Sequence, residues 1–120
     1  MVKLFIILRR KPGMTPEEFH HYWKEKHGPL VAKLPGLVKY TQHHVMSMPR
    51  EEYATVDAPI DGVVEVWLES PEAMAQAQGS PELQAVLADE KVFMGSTDHH
   101  IHTLIVTESV ELVSHATPGT

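Results

Sequence analysis

The stretch FHHYWKEKHGPL, residues 19–30, decides the fold of the first half of this chain. Phe19, Trp23 and His27 recur every four residues, so a helix places them on one apolar face with Tyr22 beside them. The opposite side of this helix is polar. The spacing therefore predicts an amphipathic helix whose inner end carries one titratable group, the imidazole of His27.

The sequence also indicates where this helix begins and where it ends. Residues 15–18, TPEE, form a capping box with proline at the first helical position, which predicts a helix from Pro16 to about Lys26. Gly28 and Pro29 predict that the helix ends there, because glycine accepts a left-handed cap and proline cannot continue the hydrogen bonding. A short helical extension follows from Leu30 to Leu34, where Pro35 and Gly36 stop it. The helix dipole favours a charged His27 and burial favours a neutral one. Two interpretations stay open: an acid–base residue, or a histidine that only closes the helix.

Composition limits the classes of protein. The 120 residues include 10 basic and 16 acidic side chains, a net charge of −6, and no cysteine. We expect one domain over residues 1–112 with a flexible tail over 113–120, no nucleic-acid partner, no disulfides and a cytoplasmic location. No apolar run approaches the roughly 20 residues that span a bilayer, so no membrane partner is expected either.

The order of predicted elements is β-α-β-β-α-β. Apolar patterning predicts strands over residues 2–10, 37–45, 62–69 and 97–108, a surface loop over 46–60, and two helices starting at the SPE motifs of residues 70–72 and 80–82. This order is typical of an α+β ferredoxin-like sandwich. The first and third strands are apolar on both faces, but the helices can cover only one face of the sheet. A second copy of the sheet is the simplest cover, so we expect a homodimer.

These residues resemble the EthD family. The likeness lies in RRKPGMTPEEF at residues 9–19, YW at 22–23, HGPL at 27–30, LPGL at 34–37 and Tyr40, with weaker matches continuing to about Val110. The resemblance implies a dimeric α/β barrel with a small-molecule pocket between sheet and helices. The methylmuconolactone methylisomerase-like branch has a proposed catalytic histidine and tyrosine, and the resemblance implies that His27 and Tyr40 stand at those positions. That branch carries a cysteine where this chain has Val66.

The residue types suit proton transfer beside a carbonyl. His27 is a candidate general acid or base, and the Tyr40 hydroxyl is a candidate donor to a developing enolate or phenolate oxygen. Other candidates for contact with the substrate are Phe19, Tyr22, Trp23, His44, Glu65 and Trp67. Two structural alternatives stay open: a core position with a satisfied hydroxyl for Tyr40, and a hydrogen-bond partner role for Glu65. His44 is expected either to line the pocket or to lie at its mouth.

The last predicted strand opens with several histidines. His100 and His102 have the spacing at which a strand points two imidazoles to one side, with His99 beside them. Two ligands are too few for a stable site, so no metal is expected. Phosphate-loop and dinucleotide motifs are absent from the sequence, and we expect no cofactor.

Two classes of function follow. The first is a small cofactor-independent enzyme of isomerase, cyclase or decarboxylase/lyase type, acting by acid–base catalysis on an aromatic-derived lactone, a polyketide or a related carbonyl compound. The second is a non-catalytic dimer that binds a small hydrophobic ligand, or an accessory protein of an oxygenase in aromatic degradation.

Overall fold

The computed structural model describes residues 1–49, 55–57, 60–95 and 102–115. Its elements follow in the order β1 (Val2–Leu8), α1 (Pro16–Tyr22), a π-helical turn (Trp23–His27), α2 (Gly28–Val31), β2 (Leu37–His44), β3 (Ser47–Pro49), β4 (Thr55–Asp57), β5 (Gly62–Leu68), α3 (Pro71–Gln78), α4 (Pro81–Phe93) and β6 (His102–Ile105).

The main sheet has four strands in the order β2-β5-β1-β6, and each neighbouring pair is antiparallel. The helices connect its strands, which confirms the predicted α+β ferredoxin-like sandwich. β6 ends earlier than expected, because residues 106–108 form no strand. The predicted beginning of this strand, residues 97–101, lies outside the described part of the chain. The helices and the sheet enclose the space in which the site lies.

The segment predicted as a plain loop, residues 46–60, contains a small second sheet. β3 and β4 pair antiparallel from Ser47 opposite Asp57 to Pro49 opposite Thr55. The two prolines of this segment favoured a loop in the sequence, since proline argues against a central strand, but it is tolerated at the end of a short edge strand.

The start of α1 agrees with the sequence. The Thr15 hydroxyl accepts a hydrogen bond from the Glu18 backbone N–H at 3.1 Å, and a Glu18 carboxylate oxygen accepts one from the Thr15 N–H at 3.2 Å. Pro16 occupies the first turn, where no N–H is needed. This capping box fixes where the helix begins and therefore which residues face the sheet.

The predicted left-handed cap at Gly28 was wrong. Gly28 has a right-handed φ of −50°, and its N–H donates to the carbonyl of Trp23, five residues back. This π-helical turn widens the helix just before Pro29, which then sits in the first turn of α2, where its missing N–H costs nothing. Helical structure ends at Val31, before the predicted end at Leu34, and the chain turns into β2 at Gly36, which has the left-handed φ of 74°.

The core lies on the helix-facing side of the sheet. Phe19, Trp23 and Phe93 are fully buried there, against Val64 and Val66 of β5. A Cβ at Gly62 would overlap the six-membered ring of Trp23, so glycine lets the indole lie directly on the strand. This packing anchors the π-helical turn to the sheet.

The other side of the sheet, called here the outer face, carries no helix. Strand register places on it Phe5 and Ile7 of β1, Val63, Glu65 and Trp67 of β5, and Leu104 of β6, which is 52% exposed. The sequence prediction that both faces of β1 and β5 are apolar therefore holds for the described strands apart from Lys3 and Glu65, which both lie on the outer face.

Two further observations concern the chain as a whole. Residues 106–115 form neither helix nor strand, and the predicted boundary at residue 112 stays a prediction. No helix in the described ranges has the length and apolar character required to cross a bilayer.

Candidate active site

A cavity of about 300 Å³ lies between the main sheet and the helices. Alternate residues of the inner strands form its floor, because side chains two apart on a strand point to one face. The floor consists of Leu4, Ile6 and Leu8 of β1 with Val64, Val66 and Leu68 of β5. The polar side chains on its wall are His27, Tyr40, Gln78, Glu90 and Thr103. The size and the mainly apolar wall suit one small organic molecule.

His27 is held at the cavity wall by a carboxylate. The residue is 4% exposed, and its Nδ1 lies 2.8 Å from Oδ2 of Asp89 on α4. A carboxylate only accepts, so Nδ1 carries the proton and Nε2 is the nitrogen left for the cavity. Burial lowers the pKa of His27 below its usual value, and the hydrogen bond with Asp89 partly opposes this. A neutral imidazole with a free Nε2 lone pair can act as a general base.

The same carboxylate binds a second group. The Tyr22 hydroxyl donates to Oδ1 of Asp89 at 2.6 Å, and this hydrogen bond is the main reason that the pKa of Tyr22 rises to about 12. Tyr22 is not part of the cavity wall. Its geometry makes it a partner of Asp89, whereas the sequence had predicted contact with the substrate.

Tyr40 faces the same cavity from β2. Gln42 Nε2 donates to the Trp23 carbonyl at 3.0 Å and to the Tyr40 hydroxyl oxygen at 2.7 Å, which uses both protons of the amide nitrogen. The Tyr40 oxygen therefore accepts from Gln42 and keeps its own proton for another acceptor. Burial raises the pKa of Tyr40, so the phenol stays protonated.

His44 lies at the outer end of this chain of hydrogen bonds. Nε2 of Gln42 already donates both of its protons, so the group that bonds to His44 is Oε1, which accepts from His44 Nε2 at 2.9 Å. His44 Nδ1 then accepts from His20 Nδ1 at 2.7 Å. The His44 ring also lies 4.3 Å from that of Trp23 and is not on the cavity wall. His44 is linked to the cavity wall by hydrogen bonds through Gln42 to Tyr40, and it does not contact the cavity itself.

Four further predicted contact residues lie elsewhere. Phe19 and Trp23 are 0% exposed and belong to the core beside the cavity, because the first helix turns its aromatic face onto Phe93 and β5. Glu65 and Trp67 lie on the outer face, since their register on β5 is opposite to that of Val64 and Val66. The structure therefore does not bring these four residues together around His27, as the sequence had predicted.

Glu65 has the hydrogen-bond partner role that was its structural alternative. Its Oε2 accepts from Trp67 Nε1 at 2.7 Å, and its Oε1 lies 3.5 Å from His43 Nε2. The Nζ atoms of Lys3 and Lys39 each lie 4.4 Å from the centre of a Trp67 ring. Trp67 is therefore fixed between two cations on the outer face.

Sequence reasoning missed Asp89 and Glu90 as site residues. Glu90 follows Leu83 and Val86 at seven and four residues, so helical spacing alone puts it on the inward face of α4. Asp89 gives no such signal, because its role depends on how α4 lies against the π-helical turn. The structure brings Asp89, His27 and Tyr22 together and places Tyr40 and Glu90 on the same cavity.

The histidine-rich segment before β6 falls mostly outside the described ranges. His99 and His100 are not among the described residues, so the expectation of no metal there stays a prediction. Elsewhere in the described ranges, no group of three or more His, Asp or Glu side chains converges as a metal site requires.

Comparison with known families supplies the family. The model of the EthD domain matches residues 11–97, which is most of the chain. The chain belongs to the EthD family. The resemblance carried by residues 9–19 and 27–30 is thereby confirmed. No curated protein matches the chain.

Solved structures agree with this EthD assignment. An EthD family protein from Bacillus halodurans superposes with a TM-score of 0.70 at 21% identity, covering 91% of this chain and 100% of its own. A dimeric ferredoxin-like protein of unknown function from Thermobifida fusca gives 0.59 at 17%, covering 88% of each chain. SnoaB, a cofactor-independent oxygenase from Streptomyces nogalater, gives 0.56 at 14%, covering 95% of this chain and 100% of its own. At such identities the likeness shows the fold alone.

Proposed function

We propose that this EthD-family protein is a cofactor-independent enzyme that transfers a proton at a carbon next to a carbonyl group. His27 is the general base and acid, Tyr40 donates a hydrogen bond to the carbonyl oxygen, and Asp89 orients His27. The reaction is of isomerase, cyclase or decarboxylase type, on an aromatic-derived lactone, a polyketide or a related carbonyl compound.

One observation carries the proposal. The Asp89 carboxylate binds Nδ1 of a buried, neutral His27 at 2.8 Å, and the ring forms part of the wall of an apolar cavity. A carboxylate behind a histidine fixes its tautomer and stabilises the imidazolium that forms when Nε2 takes a proton. A histidine that only closed a helix would not need this arrangement.

The proposed step balances within the residues present. His27 Nε2 removes a proton from the carbon next to the carbonyl, and the electron pair moves onto the carbonyl oxygen. Tyr40 stabilises this enolate by its hydrogen bond, which strengthens as negative charge develops. The imidazolium then returns the proton to the same or another carbon, and the enolate becomes a carbonyl again. SnoaB, described as a cofactor-independent oxygenase, is an analogy of fold for catalysis without a bound cofactor, in a different reaction.

We also propose that the protein is a homodimer joined through the outer face. In a single chain, Phe5, Ile7, Val63 and Trp67 lie together on the outer face and are each partly exposed, and contiguous exposed apolar patches mark interfaces. A second sheet packed on the first would cover them. The similar dimeric protein from Thermobifida fusca supports this assembly.

The test uses an uncharged ketone with an acidic α-carbon, 2-tetralone, as a stand-in substrate. Exchange of its α-protons in D₂O is followed by NMR with wild type, His27→Ala and a matched control, His21→Ala, which alters an exposed histidine of the same helix. Wild type and the control should accelerate exchange. His27→Ala should lose about 10²–10⁴ of that rate, the range for removal of a general base.

The alternative is decided by the same experiment. If 2-tetralone binds but wild type and His27→Ala exchange it at the same rate, the proposed proton transfer is wrong. The second class of function, a dimer that binds a small hydrophobic ligand without turning it over, is then the better account.

A further inference from the structure

We propose that Glu90 makes the cavity selective for uncharged ketones and phenols and excludes ligands of the same shape that carry a carboxylate. This inference rests on the proposed function, because it concerns the substrate class of the same cavity. It narrows that class, since lactones, polyketides and aromatic compounds include both neutral and acidic members. It also leaves out the decarboxylase type of reaction, whose substrate would carry a carboxylate.

The charges around the cavity support this selectivity. Glu90 lies on the wall, and of the described residues that form the wall none is a lysine or arginine. The remaining titratable groups that face it are His27, held neutral by burial, and the protonated phenol of Tyr40. Asp89 adds a negative charge directly behind His27. A carboxylate ligand would lose its hydration here without gaining a cation.

Glu90 itself has no charged partner in the described part of the chain. No ion pair or side-chain hydrogen bond joins it to another described residue, and its neighbours on the cavity wall include Val86, Leu87 and Met94. Burial, and to a smaller degree the neighbouring Asp89, raise the pKa of Glu90 to about 7. Near neutral pH its carboxyl group is therefore present in both forms.

Both forms of Glu90 favour a neutral ligand. The protonated acid donates a hydrogen bond, and the oxygen of a ketone or phenol can accept it. The ionised form repels a ligand carboxylate in a cavity where the low dielectric strengthens the repulsion. A glutamine at this position would still donate a hydrogen bond but would carry no charge.

The experiment compares two probes of matched size, 2-naphthol and 2-naphthoate, by calorimetric titration at about pH 8, where 2-naphthol is neutral and most Glu90 is ionised. Wild type should bind 2-naphthol more tightly than 2-naphthoate by about tenfold or more. Glu90→Gln should shrink this ratio several-fold, mainly by improving the binding of 2-naphthoate. Glu72→Gln, which alters an exposed carboxylate on α3, is the matched control and should leave the ratio unchanged.

A second variant guards against a folding defect in the first. Glu90→Met fills a similar volume without charge, so it should shrink the ratio as well, with the far-UV circular dichroism of wild type retained. If both variants bind 2-naphthol and keep the wild-type ratio, Glu90 is not the selective group and the inference is overturned. It is overturned equally if neither probe binds to wild type.

Failure of the proposed function gives a different result. The exchange of 2-tetralone would then be independent of His27, while the binding ratio could still respond to Glu90. A normal loss of exchange in His27→Ala together with an unresponsive ratio would instead contradict the role of Glu90 alone.

Discussion

Tyr22 and His27 lie five residues apart and donate hydrogen bonds to the two oxygens of one carboxylate, that of Asp89. In a regular α-helix, residues five apart point about 140° away from each other. The π-helical turn over Trp23–His27, with its i to i+5 hydrogen bond, holds more residues per turn and so brings the two directions closer together. Such turns occur often at functional sites. Here the turn allows Tyr22 and His27 to reach the same carboxylate, that of Asp89.

The first prediction concerns the pKa of His27. Asp89→Asn keeps the shape of the side chain but removes its charge, so the pKa of His27 should fall further below its usual value, because Asp89 is the group that raises it. NMR titration of the imidazole nitrogens measures this directly. An unchanged or higher pKa in the variant would contradict the pairing. His21→Ala, remote from Asp89, should leave the titration unaltered.

The second prediction concerns Tyr40 and Gln42. Tyr40→Phe should lower the exchange of 2-tetralone by about tenfold, the value of one lost hydrogen bond to a developing charge. Gln42→Leu should have a smaller effect in the same direction, because it frees the Tyr40 oxygen to orient differently. The double variant should be no slower than Tyr40→Phe, since Gln42 acts through Tyr40. Additive losses would show that Gln42 acts independently.

The third prediction concerns the dimer. Light scattering should give a dimeric mass at micromolar concentration. Phe5→Asp or Val63→Asp, each on the outer face, should cause dissociation or aggregation, because a charge would be buried without a partner. Glu25→Lys changes the charge of an exposed helix position and should leave the dimer intact. A monomeric mass for wild type would contradict the proposed assembly.

The fourth prediction concerns stability and pH. Glu90 ionises near 4.5 in the unfolded chain but near 7 in the folded protein, so the folded state holds its proton longer. The stability that this group contributes is complete below pH 4.5 and is lost as the pH rises through about 7. Glu90→Gln removes this loss. The difference in free energy of unfolding between Glu90→Gln and wild type should rise in favour of the variant by roughly 1–2 kcal/mol from acidic pH to pH 8, after allowance for partial solvent screening.

Thermal unfolding at several pH values measures this difference. His27 has a lowered pKa and shifts stability in the opposite sense, towards loss as the pH falls, but it is present in both proteins and cancels in the comparison. Glu108→Gln, at an exposed position outside the helices, serves as the control. If the difference in stability between Glu90→Gln and wild type is the same at every pH measured, the raised pKa of Glu90 is contradicted.

Much of the fold could be predicted because its signals are local. The capping box at Thr15, the alternation along β5 and the SPE motifs before α3 and α4 depend on neighbouring residues only. The end of the first helix could not be predicted, because glycine followed by proline reads as a stop in α-helical geometry. The π-helical turn changes that geometry, and it is held by contacts of Trp23 with Gly62 and Gln42 from distant strands.

The candidate site was predictable only where it lies on a regular face. Helical spacing indicated that His27 points inward, and strand parity put Tyr40, Gln42 and His44 on one face. Asp89 is separated from His27 by 62 positions in the sequence, and no periodicity links the two. Trp67 was misassigned because an aromatic residue suits a cavity wall and a subunit interface equally, and only the register of β5 against β1 decides between them.

The two tryptophans lie on opposite sides of the sheet, so the fluorescence of each reports on a different part of the protein. The chain contains only Trp23 and Trp67. Trp23 lies in the core beneath the helices, whereas Trp67 lies between two lysines on the outer face. Trp67→Phe leaves a fluorophore that responds when the core opens, and Trp23→Phe leaves one that responds when the outer face is covered. Emission from the two single-tryptophan proteins would thus separate unfolding from subunit association in the same dilution series, without any attached dye.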